Sequence, residues 1–274
     1  MPNQPHKLSS TLWAIIHHQR QPALHRRPQT PFINHLNHPR PEHHHPPSHL
    51  RMASTEAPKA PFLKSALERN TKWASTLDPT LMKSLATGQK PEILWIGCSD
   101  SRVPAEQILD LQPGSIFVHR NIANILHTAD PSSLAVIDYA VNHLKVSQVM
   151  VCGHVGCGGI AGAMTPPGPG LSDSLNLWLN PAREVRMACN RDVKGFAEME
   201  QDKKVRTVID GNVRRSLSVL RMNPSVVKAM VERGMELHGL VYNVGTGKLE
   251  EIDKGTESEE EKKARELCFG MTTK

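Results

Sequence analysis

The sequence predicts an α/β fold. A mostly parallel central β-sheet is flanked by helices, with an N-terminal helical arm before it and a C-terminal β-hairpin and helical region after it. Three observations predict this. Runs such as Ile93-Leu94-Trp95-Ile96 and Val149-Met150-Val151-Cys152 are continuously apolar, the pattern of strands buried on both faces. Stretches of helical periodicity separate those runs. Two clusters of chemistry-bearing residues each follow the end of such a run, where parallel sheets place their ligand sites.

The 274 residues suffice for one large domain. The net charge of +6 belongs mostly to the beginning of the chain. Residues 1–52 hold six basic residues against Glu42 alone, whereas the remainder holds 27 basic and 26 acidic residues. The body therefore lacks the basic excess of a nucleic-acid-binding domain. Ten of the fifteen histidines and nine of the 21 prolines also fall in residues 1–52. That composition cannot build a core, so residues 1–54 are expected to be a disordered tail. Three readings of it stay open: a mitochondrial presequence, an extension with Met52 as an alternative start, or a metal-binding histidine tract. No apolar run approaches the ~20 residues needed to span a membrane. Five cysteines, an odd number in a chain with ample core, favour metal or thiol chemistry over disulfide stapling. A soluble intracellular protein is expected, mitochondrial if the tail is a presequence and otherwise cytoplasmic.

Residues 61–73 read as an amphipathic helix, and 80–86 as a second one ending at Gly88. Residues 93–97 read as a strand, 104–111 as a short helix stopped by Pro113-Gly114, and 115–119 as a strand. Residues 132–144 form a helix behind Pro131, and 146–152 a strand. A Pro/Gly loop at 166–170 precedes helices over 172–189, with a break near Pro181, then 203–222 and 225–233. Residues 237–244 and 248–252 flank Gly245-Thr246-Gly247, a hairpin signal. One domain over 55–255 is expected, followed by a charged tail at 256–274.

The first cluster is Cys98-Ser99-Asp100-Ser101-Arg102, and the second is His154-Val155-Gly156-Cys157-Gly158-Gly159. A lone cysteine at a strand end is more often a small core residue than a ligand. The 56 residues from Cys98 to His154 span two strand–helix units, which returns the chain to a nearby strand. Cys98, His154 and Cys157 then meet at one sheet edge. Two thiolates and one imidazole suit Zn²⁺ and leave a fourth position for water, as in catalytic zinc sites. Such a water can become a hydroxide nucleophile near neutral pH. Asp100 and Arg102, two residues apart, form a pair in which the guanidinium fixes and ionises the carboxylate. Asp100 then directs the hydroxide, or swings in as a fourth zinc ligand and closes the site. Gly153, Gly156, Gly158 and Gly159 lack the Gly-Lys-Ser/Thr of a phosphate loop; close helix packing accounts for them.

Cys98-x-Asp100-x-Arg102 followed by His154-x-x-Cys157-Gly158-Gly159 resembles the β-class carbonic anhydrases, and the resemblance extends through residues 95–104 and Phe117-Val118-His119-Arg120-Asn121. It implies a zinc-dependent reversible hydration of CO₂ to bicarbonate and a proton, with one zinc per chain. Cys98, His154 and Cys157 hold the metal in that reading, and the Asp100–Arg102 dyad orients the hydroxide. Gln89, Phe117 and Tyr139 match residues lining a small substrate pocket, part of it contributed by a neighbouring subunit. The partners implied are CO₂ or bicarbonate and further copies of the chain, as a homodimer or a dimer of dimers. One subgroup binds bicarbonate at a second, inhibitory position, and Trp95, Arg120 and Tyr242 match its residues. Each of the three also has a structural reading, as core aromatic or ion pair. His119, His127 and His143 stand near the right segments, but none is assigned as a proton shuttle. A CS₂ or COS hydrolase on the same zinc set, and an inactive zinc module, are the competing readings; the dyad and the open fourth position argue against the second.

Overall fold

The computed structural model describes residues 62–255 and 257–271. The sequence readings on residues 1–54 lie outside the described residues. The described residues divide into two units between Ser65 and Ala66, inside the first helix.

In chain order the elements are α1 (Phe62–Ala74), α2 (Pro79–Thr87), β1 (Ile93–Cys98), α3 (Ala105–Leu109), β2 (Ile116–Asn121), α4 (Pro131–Asp138), β3 (Gln148–His154), α5 (Gly158–Ala163), α6 (Asp173–Trp178), α7 (Asn180–Asp192), α8 (Gln201–Arg221), α9 (Pro224–Arg233), β4 (Glu236–Asn243), β5 (Lys248–Asp253) and α10 (Glu259–Phe269). The helix starts are written in side-chain chemistry. Asp78, Asp130, Ser172 and Asn223 cap α2, α4, α6 and α9 by accepting first-turn N–H groups. α10 opens with a reciprocal capping box between Ser258 and Glu261. Pro79, Pro131, Pro181 and Pro224 occupy first-turn positions where a missing N–H costs nothing.

Three expectations are refined. The helix over 132–144 is α4 followed by a π-helical turn, Tyr139–Leu144, closed by Lys145 in the left-handed conformation. Arg233 fastens that turn by donating to the carbonyls of Val141 and Val146. The break near Pro181 falls at Leu179, between α6 and α7. α5, directly after the second cluster, was not anticipated: Gly158, Gly159 and Gly162 within six residues carry almost no helix propensity.

The sheet order is β2-β1-β3-β4-β5, parallel except for the antiparallel β4–β5 hairpin. Side chains alternate across it. One face presents Leu94, Ile96, Val149, Val151, Leu237 and Val241 to the larger core, which includes Val208, Ile209, Val213, Leu217 and Leu220 of α8. The other face presents Trp95, Cys152 and Leu240 to a smaller core with Val103 and Ala105.

α8 lies close to the sheet because β3 and β4 each place a glycine beneath it. A Cβ on Gly153 would meet Val213 and Ile209 at 3.0 and 3.1 Å. One on Gly239 would meet Leu217 at 2.9 Å and Val213 at 3.0 Å. Close packing thus accounts for Gly153, and also for Gly159, whose Cβ would meet Ala123 at 2.9 Å. It does not account for the other two glycines of the second cluster. Gly156 has φ +72, the left-handed region that favours glycine, and a Cβ on Gly158 would meet nothing within 4 Å.

α10 is anchored by charge. Arg265, 1% exposed, donates to the Glu257 carboxylate at 3.0 Å and to the Met271 carbonyl. Arg221 of α8 pairs with Glu261 at 3.1 Å and with Asp253 at 3.4 Å. Among the described residues, no helix is long and apolar enough to cross a membrane.

The glycine contact under α8 yields a stability test. Gly239→Val is expected to lose about 2–3 kcal/mol by overpacking, read as a lower urea midpoint at unchanged slope. An exposed control, Gly247→Asn, is expected to lose less than about 1 kcal/mol because asparagine tolerates positive φ.

Candidate metal centre

The centre forms where β1 and β3 end side by side. Their register runs from Ile93 opposite Gln148 to Gly97 opposite Cys152, so Cys98 and His154 both stand at the carboxyl edge of neighbouring strands. Alternation alone would put Cys98 on the face of Ile96 and His154 on the face of Cys152. Each is the last residue of its strand, and one more ladder bond follows it, from the Ser99 N–H to Asn121 O and from the Val155 N–H to Tyr242 O, both at 2.9 Å. Cys157 arrives as the N-cap of α5.

The Cys98 and Cys157 sulfurs are 4.0 Å apart, and one ligand atom from each of Cys98, His154 and Cys157 lies within 4.8 Å of the others. All three residues are buried, His154 fully. The His154 ring is held from behind, its Nδ1 3.1 Å from the Val155 carbonyl. Its Nε2 is buried without a hydrogen-bond partner and lies 3.8 Å from Asp100 Oδ2. An orphaned buried imidazole nitrogen beside two thiols is expensive unless something binds it.

The thiols point the same way. The Cys157 S–H hydrogen bond eases ionisation of Cys98, and its thiol pKa falls well below the usual range. The hydrogen bond to Cys98 and burial then push that of Cys157 strongly up. Two adjacent buried thiolates repel each other, and a divalent cation removes that conflict. The donor set therefore fits zinc: soft sulfur, one imidazole, three protein ligands.

Asp100 and Arg102 are joined as the sequence predicts. Arg102 Nη2 donates to Asp100 Oδ2 at 2.7 Å, and Arg102 Nε and the Arg102 backbone N–H both donate to Oδ1 at 2.9 Å. The Arg102 hydrogen bonds hold the Asp100 carboxyl well below the usual carboxylate range. Arg102 Nη2 also donates to the Gly156 carbonyl at 3.2 Å, tying the first cluster to the second. The glycine between the two ligands was visible in the sequence; its carbonyl's role was not.

Arg120 is expected to be an anion contact or an ion pair. Here it is a clamp: Nε donates to Cys98 O at 2.9 Å and Nη2 to Asp100 O at 2.5 Å. Trp95, Arg120 and Tyr242 share one face of the sheet, since Trp95 opposes Val118, Gly97 opposes Arg120, and His154 opposes Tyr242. Trp95 is fully buried, and its Nε1 has no acceptor.

Phe117 and Tyr139 stack at 5.7 Å between ring centroids, and Tyr139 stacks in turn on His143 at 5.3 Å. They lie apart from the metal ligands of their own chain. Phe117 opposes Leu94, four residues before Cys98 and roughly 13 Å away at 3.3 Å per residue. Gln89 precedes β1 altogether and lines a separate cleft with Gly88 and Gly114. His119 Nε2 meets Ser133 Oγ at 3.1 Å and Asn121 Nδ2 at 3.2 Å, and burial lowers its pKa.

Residues 93–249 match the sequence profile of carbonic anhydrases. A carbonic anhydrase of Emericella nidulans is 40% identical over 190 residues, covering 68% of this chain and 81% of that protein. One of Saccharomyces cerevisiae is 33% identical over 203 residues, covering 71% and 90%. Among solved structures, a β-carbonic anhydrase of Aspergillus fumigatus superposes with a TM-score of 0.70 at 44% identity, covering 76% of this chain and 99% of that one. A tetrameric β-carbonic anhydrase of Sordaria macrospora gives 0.67 at 41% identity, covering 72% and 99%. The sheet, the two strand-tip clusters and these relatives agree: this chain belongs to the carbonic anhydrases, in the β class.

Proposed function

We propose that the chain catalyses the reversible hydration of CO₂ to bicarbonate and a proton, with Cys98, His154 and Cys157 holding one zinc ion. The observation that carries this is the ionised Asp100 carboxylate, fixed by three donors from Arg102 with Oδ2 3.8 Å from the ligand nitrogen of His154. Zinc bound there supplies Lewis acidity that brings the pKa of a water towards neutrality. With zinc held by Cys98, His154 and Cys157, Asp100 Oδ2 would accept a hydrogen bond from a water at the remaining position and so direct its oxygen towards CO₂. The Arg102 contact keeps Asp100 from taking the proton outright. It also keeps the carboxylate from swinging onto the metal, a movement that would cost two Nε/Nη2 hydrogen bonds. The buried surroundings of Cys157 and His154 exclude bulk water on the protein side.

The substrate pocket supports an assembly. On one chain, Phe117 and Tyr139 lie too far along the sheet to touch a molecule at Cys98. A second copy that brings them over the metal edge completes the site, consistent with a homodimer or dimer of dimers; a solved relative of Sordaria macrospora is a tetramer.

The test is stopped-flow CO₂ hydration by protein carrying one zinc per chain. Cys98→Ser is expected to hold zinc more weakly and to lose activity. Asp100→Asn is expected to keep zinc and lose at least about a hundredfold in kcat, the usual contribution of a positioned proton acceptor. A zinc-loaded wild type without activity, or an Asp100→Asn variant as fast as wild type, contradicts the proposal.

A second, inhibitory bicarbonate position among Trp95, Arg120 and Tyr242 is favoured by the orphaned Trp95 Nε1, a buried donor without an acceptor. An anion there would compete for Arg120 with the carbonyls of Cys98 and Asp100, and so loosen the dyad loop. Wild type is expected to show sigmoidal dependence on bicarbonate, and Trp95→Phe, which keeps the ring and removes the donor, hyperbolic dependence. Hyperbolic kinetics in both would sink this reading.

A further inference from the structure

We propose that the cleft between α7 and the start of α8 binds a small organic oxyanion, a carboxylate or phosphate ester with an apolar body. The cleft has a volume of about 660 Å³, within the usual range for small-molecule sites. Three cations line it, Arg186 and Arg191 from α7 and Lys204 from the first turn of α8, and no carboxylate does. Arg191 is partly neutralised by Asp192 at 2.7 Å. Arg186 has no acid. Its Nη1 donates to the Met164 carbonyl at 2.9 Å, while its Nε is buried without a partner. A guanidinium offers five donors in a fixed fork; Nε is closed to solvent, so an oxyanion in the cleft would meet the outer donors of Arg186.

Two further features converge on the same place. α8 is 21 residues long, begins at Gln201 on the cleft wall, and receives no side-chain cap from Glu200, so its first N–H groups add partial positive charge, offset in part by Asp202 in the first turn. Beside the polar Asn190 and Gln201, the lining holds an apolar group: Phe196, which is buried, with Met164, Met187 and Ala197. A cationic rim over an apolar floor recognises an anionic head joined to an apolar body, and recognises a bare inorganic ion less well. The cleft is separate from the metal centre. Met164 is the C-cap of α5 and Cys157 its N-cap, so roughly 10 Å of helix lies between them at 1.5 Å per residue.

The experiment is calorimetric titration of the full-length, zinc-loaded protein with phenyl phosphate, benzoate and inorganic phosphate. It is repeated with Arg186→Gln and with Lys204→Gln, the second being a half-exposed position that tolerates change. Saturable binding of phenyl phosphate or benzoate, weakened about tenfold or more in both variants with CO₂ hydration unchanged, is the expected result; which of the two binds identifies the head group. No saturable binding up to about 10 mM overturns the proposal. So does equal affinity in wild type and both variants, which would put the anion on the metal or elsewhere. Inorganic phosphate binding as tightly as phenyl phosphate also overturns it, because the apolar floor would then contribute nothing.

Discussion

Parallel pairing of β1 with β3 is the constraint on which everything at the metal edge depends. It aligns Gly97 with Cys152 and leaves Cys98 and His154 as neighbouring strand tips. The pairing exists because both strands are apolar on both faces and must be covered on both sides. Parallel strands need a crossover, and two successive ones carry the chain from Cys98 out to β2 and back to β3. The glycines under α8 serve the same end: they let a long helix press on β3 and β4 and hold the tip of β3 in place.

Charge then decides what the edge can do. Two buried thiols and an unpartnered imidazole nitrogen form a set that is costly when left alone and neutral when it holds a divalent cation. Arg102 and Arg120 divide the work around it. Arg102 fixes the Asp100 side chain and reaches the Gly156 carbonyl, while Arg120 fixes the backbone on either side of Ser99. Two guanidiniums thus hold one short loop from both sides, and the carboxylate keeps its direction without a carboxylate partner or a further side chain.

Much of this was legible in the chain. The ligand spacing, the Asp-x-Arg pair and the strand–helix alternation are local patterns tied to side-chain chemistry, and the elements from β1 to β5 follow them within a few residues. What escaped was carried by backbone. α5 is made largely of glycine and alanine and is helical through its packing on Ala123 and Leu179, not through propensity. The clamp of Arg120 on two carbonyls has no sequence signature, because every residue has a carbonyl. The π-helical turn after Asp138 reads as ordinary helix in the apolar pattern, since the periods differ too little over six residues. The distance between Phe117 and Cys98 is likewise invisible until register is known.

The central claim is that Cys98, His154 and Cys157 bind one zinc and leave a single remaining position. X-ray absorption at the zinc edge of the full-length protein tests it most directly. The account predicts two sulfurs at about 2.3 Å and two light atoms at about 2.0–2.1 Å, falling to one sulfur in Cys157→Ser. A wild-type spectrum with fewer than two sulfurs, or with four sulfur or nitrogen ligands all retained in that variant, would contradict it.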